Sequence, residues 1–297
     1  MTGGGPPAAN DAPGPGLLHP DWQDWLTSNL VRGVADGPLL AHMLANGFED
    51  GYARVAISIV RSMTERVRQQ DPAMLRDYRA DPIRLPGGAR LRAGDREVHV
   101  AMVLANPNVA LIEGLLSEQE CDKLVQLSRA RLRRSEVVDP LSGRLEISGF
   151  RRSEGAHFAH GENAVVQRIE QRIAALTGLP IPHGEPLQIL HYPVGGEYEP
   201  HHDYFDPAYD GAQTHLARGG QRVATMIMYL NEPQDGGETF FSELEMSVRP
   251  RRGAALYFEY RNAAGELDAR CLHAGVPVVR GDKWIATKWL REGPYHA

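Results

Sequence analysis

Residues 187–205 read LQILHYPVGGEYEPHHDYF, and their period differs from that of everything before them. Leu187–Tyr192 is a short apolar run without helical spacing, and Pro193–Gly196 breaks it. The same alternation of short run and turn continues toward the C-terminus. Candidate strands are Leu187–Tyr192, Val223–Leu230, Glu238–Phe241, Met246–Val248, Ala254–Glu259, Leu272–Val278 and Trp284–Leu290. Asp235-Gly236-Gly237, Pro250–Gly253 and Gly281-Asp282 supply the turns between them. This spacing of short strands predicts a β-sandwich or barrel, mainly β, with supporting helices packed on one side.

Working outward, Ser117-Glu118-Gln119-Glu120 is a capping-box pattern ahead of Leu124, Val125 and Leu127. Val166, Ile169, Ile173 and Leu176 form one stripe of a helix spanning about 163–176, which Gly178-Leu179-Pro180 ends. Val98–Leu104 and Val109–Ile112 read as strands around Asn106-Pro107-Asn108. Further upstream, Asp21 can cap a helix carrying Trp22, Trp25, Leu26 and Leu30. Leu39, Leu40, Met43 and Leu44 mark a second, closed by Asn46-Gly47. A third starts near Glu49, with Tyr52, Ala56, Ile59, Met63 and Val67 at steps of three or four. Asp71-Pro72 interrupts it. The Gly- and Pro-rich residues 1–16 read as a disordered tail. The expected division is therefore tail 1–16, a small all-helical unit 17–85, a linker and first strand 86–107, and a main domain 108–297.

The 297 residues are 42% hydrophobic and 24% charged, ordinary globular usage that excludes a fibrous or wholly disordered chain. A net charge of −6 excludes a generic nucleic-acid binder, which carries a basic surplus. Two cysteines, Cys121 and Cys271, make no disulfide framework and fit a reducing, cytoplasmic compartment. The N-terminus has no signal-peptide pattern, and no apolar run is long enough to span a membrane.

His201-His202-Asp203 carries the chemistry. Along an extended chain His201 and Asp203 share one face and His202 takes the other. One further histidine would complete a facial triad that leaves three positions of an octahedral iron open. After 69 intervening residues His273 offers that ligand, and Lys283 follows it ten positions later. The triplet alone is weak, since most of the 12 histidines have bland structural fates. Joined to a distal histidine and a lysine in a β-rich region, it is much stronger.

With GGQRVATMIMYLNEPQDGGETFF (219–241) and CLHAGVPVVRGDKWIATKWLRE (271–292), the opening stretch resembles the catalytic domain of prolyl 4-hydroxylases. The resemblance covers about residues 108–293. It implies a double-stranded β-helix, or jelly roll, and iron(II)- and 2-oxoglutarate-dependent dioxygenase activity. It places iron on His201, Asp203 and His273, and sets Lys283 against the distal carboxylate of 2-oxoglutarate. Tyr192 and Thr239 match hydroxyl groups near that carboxylate, and Trp289 matches a tryptophan of core or pocket wall. Ser148-Gly149-Phe150-Arg151-Arg152-Ser153 resembles the family's SGxRTS stretch, with Arg152 in place of threonine. Arg151, Ser153 and Arg222 are thereby implied as substrate contacts. The implied reaction consumes O2 and 2-oxoglutarate, releases succinate and CO2, uses ascorbate as reductant, and hydroxylates C4 of a proline in a peptide or protein.

Other readings keep part of this. The same chemistry could act on a free amino acid, a peptidyl lysine or a natural product. A metal-free binding module would have no need of the triad and Lys283 together. A zinc hydrolase would need a second cluster such as HExxH, which is lacking. The N-terminal helices are a stabilising cap or a docking unit through which the chain could oligomerise. Asp206–Gly220 and Arg261–Arg270 are candidate lid loops.

Overall fold

The strands expected after residue 187 all form, and they roll into two facing antiparallel sheets. The computed structural model describes residues 18, 20–31, 34, 36–69, 78–135, 137–138, 145–146, 151–207, 209 and 211–296. The expected tail, residues 1–16, and the Asp71-Pro72 break lie outside them. The chain divides into two compact units, Met1–Asp77 and Tyr78–Ala297.

The first unit holds α1 (Pro20–Val31), α2 (Asp36–Ala45) and α3 (Asp50–Gln69). Their apolar stripes close around Trp22, Leu26, Leu39, Met43 and Ile57. The Trp22 ring lies 4.8 Å from Phe48, edge to face. Gly47 takes φ 88°, where a side chain would be strained, and so ends α2 as expected. The Glu49 carboxylate accepts from the Gly51 and Tyr52 N–H groups and opens α3. Residues 78–85, expected with this unit, belong instead to the second. Leu85 is buried in its core, and Arg84 pairs with Glu259 at 3.0 Å. Pro82 and Pro86, which read as a break in the sequence, lie in irregular backbone here, and residues 78–85 form no helix.

The second unit begins with β1 (Arg90–Ala93), β2 (Arg96–Ala105) and β3 (Asn108–Glu113), followed by α4 (Glu118–Arg129). Next come β4 (Arg133–Arg134), β5 (Val137–Val138), β6 (Leu145–Glu146), β7 (Glu154–Phe158) and α5 (Ala164–Thr177). The expected roll follows as β8 (Leu187–Tyr192), β9 (Tyr198–His201), α6 (Ala212–Leu216), β10 (Arg222–Tyr229), β11 (Asp235–Gly236) and β12 (Thr239–Phe241). It finishes with β13 (Met246–Val248), β14 (Ala255–Glu259), β15 (His273–Gly275), β16 (Val278–Arg280) and β17 (Lys283–Arg291).

The large sheet has the order β1-β2-β3-β14-β10-β17-β8-β7-β4, and the small one β13-β12-β15-β9. Along the chain β8, β10, β14 and β17 fall in the large sheet, while β9, β12, β13 and β15 fall in the small one. This alternation makes the unit a jelly roll, a double-stranded β-helix. Residues 86–107, expected as a linker and first strand, hold that strand as β2 and a second, β1, in place of the linker; both extend the large sheet, and Leu91, Ala93 and Val98 enter its core.

Period-two alternation gives each strand of the large sheet two duties. On β10, Ala224, Met226 and Met228 face the helices, and Ile227 and Tyr229 face the small sheet. On β17, Trp284, Ala286 and Leu290 face the helices. Helix α4 carries the predicted capping box, with Ser117 and Glu120 satisfying each other's backbone N–H. Asn163 caps α5, and Gly178 ends it at φ 70°. Val166, Ile169, Ile173 and Leu176 are all buried, each stabilising by roughly 1.5–3 kcal/mol. The expected strand 272–278 is split at Val276-Pro277, because proline gives the ladder no N–H.

Candidate active site

The cleft between the sheets is lined by what β8, β10 and β17 turn inward. Leu190, Ile227 and Ile285 make its apolar wall, and Tyr192, Lys283, Thr287 and Trp289 its polar one. The small sheet contributes Tyr198, His201, Asp203, Thr239 and His273, and the cleft encloses about 400 Å³ open to solvent.

His201 ends β9 and His273 begins β15, and the two are direct cross-strand partners. Asp203 follows two residues after His201, on the same face. The donor atoms of all three lie within 4.8 Å of one another. The Nε2 atoms of His201 and His273 each stand 3.7 Å from an Asp203 oxygen. His201 Nδ1 donates to the Glu199 carbonyl at 2.7 Å, and His273 Nδ1 donates to the Cys271 carbonyl at 3.0 Å. These bonds fix both tautomers, leaving the Nε2 lone pairs turned toward Asp203. Burial, with His273 beside it, holds the His201 pKa well below the usual histidine value. Burial would raise the Asp203 pKa, but the two imidazoles and Arg222 overcome it and keep the carboxylate ionised. Two imidazole nitrogens and one carboxylate oxygen are the donor set that suits a non-haem iron(II) ion. His202 points away, its Nε2 donating to the Ala269 carbonyl.

Lys283 occupies the same cleft at 2% exposure. Its ammonium lies 5.3 Å over the Tyr192 ring, and no carboxylate of the described residues forms an ion pair with it. Burial lowers its pKa to about 8, against the pull of Glu238. Gly275 leaves the space beside it open, since an added Cβ would sit 3.7 Å from Lys283 Nζ. Thr239 bonds the Tyr229 hydroxyl at 2.9 Å. The Trp289 indole N–H is buried with no hydrogen-bond partner among the described residues. An unneutralised ammonium, hydroxyls at Tyr192 and Thr239 and an orphaned donor fit a small dianion such as 2-oxoglutarate.

The implied substrate contacts divide. Arg151 lines the cleft, its guanidinium 4.6 Å over the Tyr198 ring, and Tyr198 in turn stacks on His201 at 3.6 Å. Ser153 lies behind Arg151, accepting from its Nε at 3.2 Å, and does not line the cleft. Arg152 is an outward residue, 3.6 Å from Glu197, so its departure from the family pattern leaves the cleft wall unchanged. Ser148, Gly149 and Phe150 lie outside the described residues. Arg222 does not line the cleft either. Its Nε and Nη2 clamp Glu185 at 2.6 and 2.9 Å, and its Nη1 donates to the Asp203 main-chain carbonyl at 3.0 Å. It positions the carboxylate ligand from behind. Glu185 also accepts from Arg291, whose Nη1 holds the His215 and Gly220 carbonyls at 2.8 Å. The expected lid 206–220 thus contains α6 and is tied down at its C-terminal end.

Sequence reasoning missed Tyr198, Thr225, Thr287 and Glu185. Thr225 and Thr287 were within reach of the alternation rule, since they share the inward parity of Ile227 and Lys283. Glu185 lies in a turn and had no such signal.

A jelly roll that gathers two histidines and an aspartate beside an unpaired buried lysine defines a non-haem iron oxygenase taking an anionic cosubstrate. Residues 187–291 match the 2OG-Fe(II) oxygenase superfamily. The chain is 38% identical over 208 residues to probable prolyl 4-hydroxylase 3 of Arabidopsis thaliana, covering 64% of this chain and 71% of that one. It is 34% identical over 282 residues to prolyl 4-hydroxylase 1 of the same plant, covering 90% and 95%. A solved viral collagen prolyl hydroxylase from Paramecium Bursaria Chlorella virus-1 is 28% identical, with TM-score 0.47, over 61% of this chain and 94% of that one. The chain belongs to the prolyl 4-hydroxylase family of iron(II)- and 2-oxoglutarate-dependent dioxygenases.

Proposed function

We propose that the chain hydroxylates C4 of proline within a peptide or protein. The observation that carries this is the charge inventory of the cleft: among the described residues lining it, Asp203 is the sole carboxylate, and the metal takes it. A free amino acid would bring an ammonium with no anion to meet. Asp206, a possible partner on sequence grounds, is exposed and outside the lining, and Asp210 lies outside the described residues. A peptidyl proline has no such charge, and the names of the Arabidopsis relatives favour it.

When bound, iron and 2-oxoglutarate supply the oxidation of an unactivated C–H bond with O2, releasing succinate and CO2. The chain's own residues do the rest. His201, Asp203 and His273 hold the metal. Lys283, Tyr192 and Thr239 take the distal carboxylate of the cosubstrate, and Leu190, Ile227 and Ile285 keep water from it. Arg151, held by Ser153 and Gln188 and stacked on Tyr198, places its positive charge at the cleft wall, where it favours the carbonyl dipoles of a peptide backbone. Ascorbate would be the external reductant that keeps a bound iron in the iron(II) state. The two buried free thiols support a reducing, cytoplasmic setting.

The test is mass spectrometry of proline-containing peptides incubated with enzyme, iron(II), 2-oxoglutarate and ascorbate. A gain of one oxygen atom, placed on proline by fragmentation, is expected. Faster hydroxylation of free L-proline than of any such peptide would sink the peptide reading.

A further inference from the structure

One oxygen of Asp203 is already spoken for. Thr225 Oγ1 donates to Asp203 Oδ2 at 2.6 Å, and the same Oγ1 lies 3.1 Å from the Tyr260 hydroxyl. Thr225 projects from β10 and Tyr260 follows β14, both fully buried. A threonine hydroxyl has one proton, so once it is given to the carboxylate, Tyr260 must be the donor to Thr225. The result is a directed chain, Tyr260 to Thr225 to Asp203, in which each bond polarises the next.

We propose that Thr225 and Tyr260 are positioning residues that occupy Asp203 Oδ2 and thereby present Oδ1 to the metal as a single, fixed ligand atom. Without them the carboxylate could rotate or offer both oxygens, taking a coordination position that cosubstrate or O2 needs. The inference rests on the metal triad and is independent of which substrate is hydroxylated.

The experiment measures Mn(II) and Co(II) affinity of the full chain without turnover, with thermal unfolding to show that each variant is folded. Thr225→Val is expected to weaken metal binding by about 10- to 100-fold, the range for residues that orient ligands. It should also shift the Co(II) absorption bands. Thr225→Ser, which keeps the donor, should restore affinity to within about threefold of the parent. Tyr260→Phe should cost about two- to fivefold in the parent, and nothing further in the Thr225→Val background, because its effect passes through Thr225. Parent-like affinity and bands in folded Thr225→Val would overturn the proposal. So would additive losses in the double variant. Absence of metal binding by the parent chain would overturn the triad itself, and this inference with it.

Discussion

Strand β17 carries Lys283 and Lys288, five residues apart and therefore on opposite faces of the large sheet. Both are 2% exposed. On the helix side, Lys288 Nζ meets Glu170 of α5 at 2.7 Å, and the other Glu170 oxygen accepts from the Gly161 N–H. Its charge is cancelled within the fold. On the cleft side, Lys283 has hydroxyls, an aromatic ring and open space around it, but no paired carboxylate. Burial lowers the pKa of both. The difference teaches how to separate a structural ion from a functional one in a buried sheet: the first has its counter-ion in the chain, the second awaits one from outside.

The metal end of the cleft face gives the largest expected effect. His201→Ala, Asp203→Ala and His273→Ala should each abolish turnover and metal binding, while His202→Ala retains metal. A His202→Ala variant as damaging as His201→Ala, with Asp203→Ala mild, would mean the ligands are misassigned. Removing Arg222 should act through the same end. Arg222→Ala is expected to depress peptide turnover and uncoupled 2-oxoglutarate decarboxylation together, and selective loss of peptide turnover would return it to the substrate groove.

The lysine contrast is broken next. Lys288→Met leaves Glu170 buried and unpaired, and should cost about 3–5 kcal/mol in denaturant unfolding with 2-oxoglutarate affinity unchanged. Lys283→Met should do the reverse, weakening 2-oxoglutarate about 10- to 150-fold. Its stability effect has the opposite sign. A lysine whose folded pKa falls from 10.5 to about 8 destabilises the fold at neutral pH, and that cost disappears as pH rises from 8 to 10.5. Lys283→Met is therefore expected to be more stable than the parent by about 3 kcal/mol near pH 7, and equal to it above the unfolded pKa.

A pH titration sharpens the contrast without mutation. Binding of the dianion needs the ammonium, so 2-oxoglutarate affinity should be flat below about pH 8 and fall toward tenfold per unit above it. A flat profile through pH 9.5 would remove Lys283 from the anion site. The smallest effect belongs to Arg152→Thr. Its side chain is 59% exposed and its ion pair is a surface one, so stability should change by less than about 1 kcal/mol and turnover little.

Much of this contrast was legible in the sequence. His201 and Asp203 were readable as one face because side chains alternate along an extended chain, whereas His273 and Lys283 were singled out by their spacing and given their roles by the resemblance. Arg222 was set in the groove by the resemblance and not by parity, which groups it with Ala224 and Met226; a register shift between Arg222 and Ala224 and the Glu185 carboxylate, a partner from a distant turn, decide where its guanidinium lies. The boundary near residue 77 and the strands β1 and β7 were missed for a related reason. RLRA alternates but spans four residues, and EGAHF spans five with a single large apolar side chain, so both are too short to show a period and their sheet neighbours make them strands. Proline-held residues 78–85 similarly gain their place from Glu259 and Asn108, far along the chain.

The pairing of His201 with His273 across β9 and β15 also sets an order of events. The strands β10 to β14 lie between β9 and β15 along the chain, so the contact that brings the two imidazoles together closes one of the longer loops in the roll. Such non-local pairings form slowly. A chain under synthesis carries His201 and Asp203 before His273 exists, so two of the three donors always precede the third. The full donor set is therefore a product of long-range folding and not of the local His201-His202-Asp203 stretch.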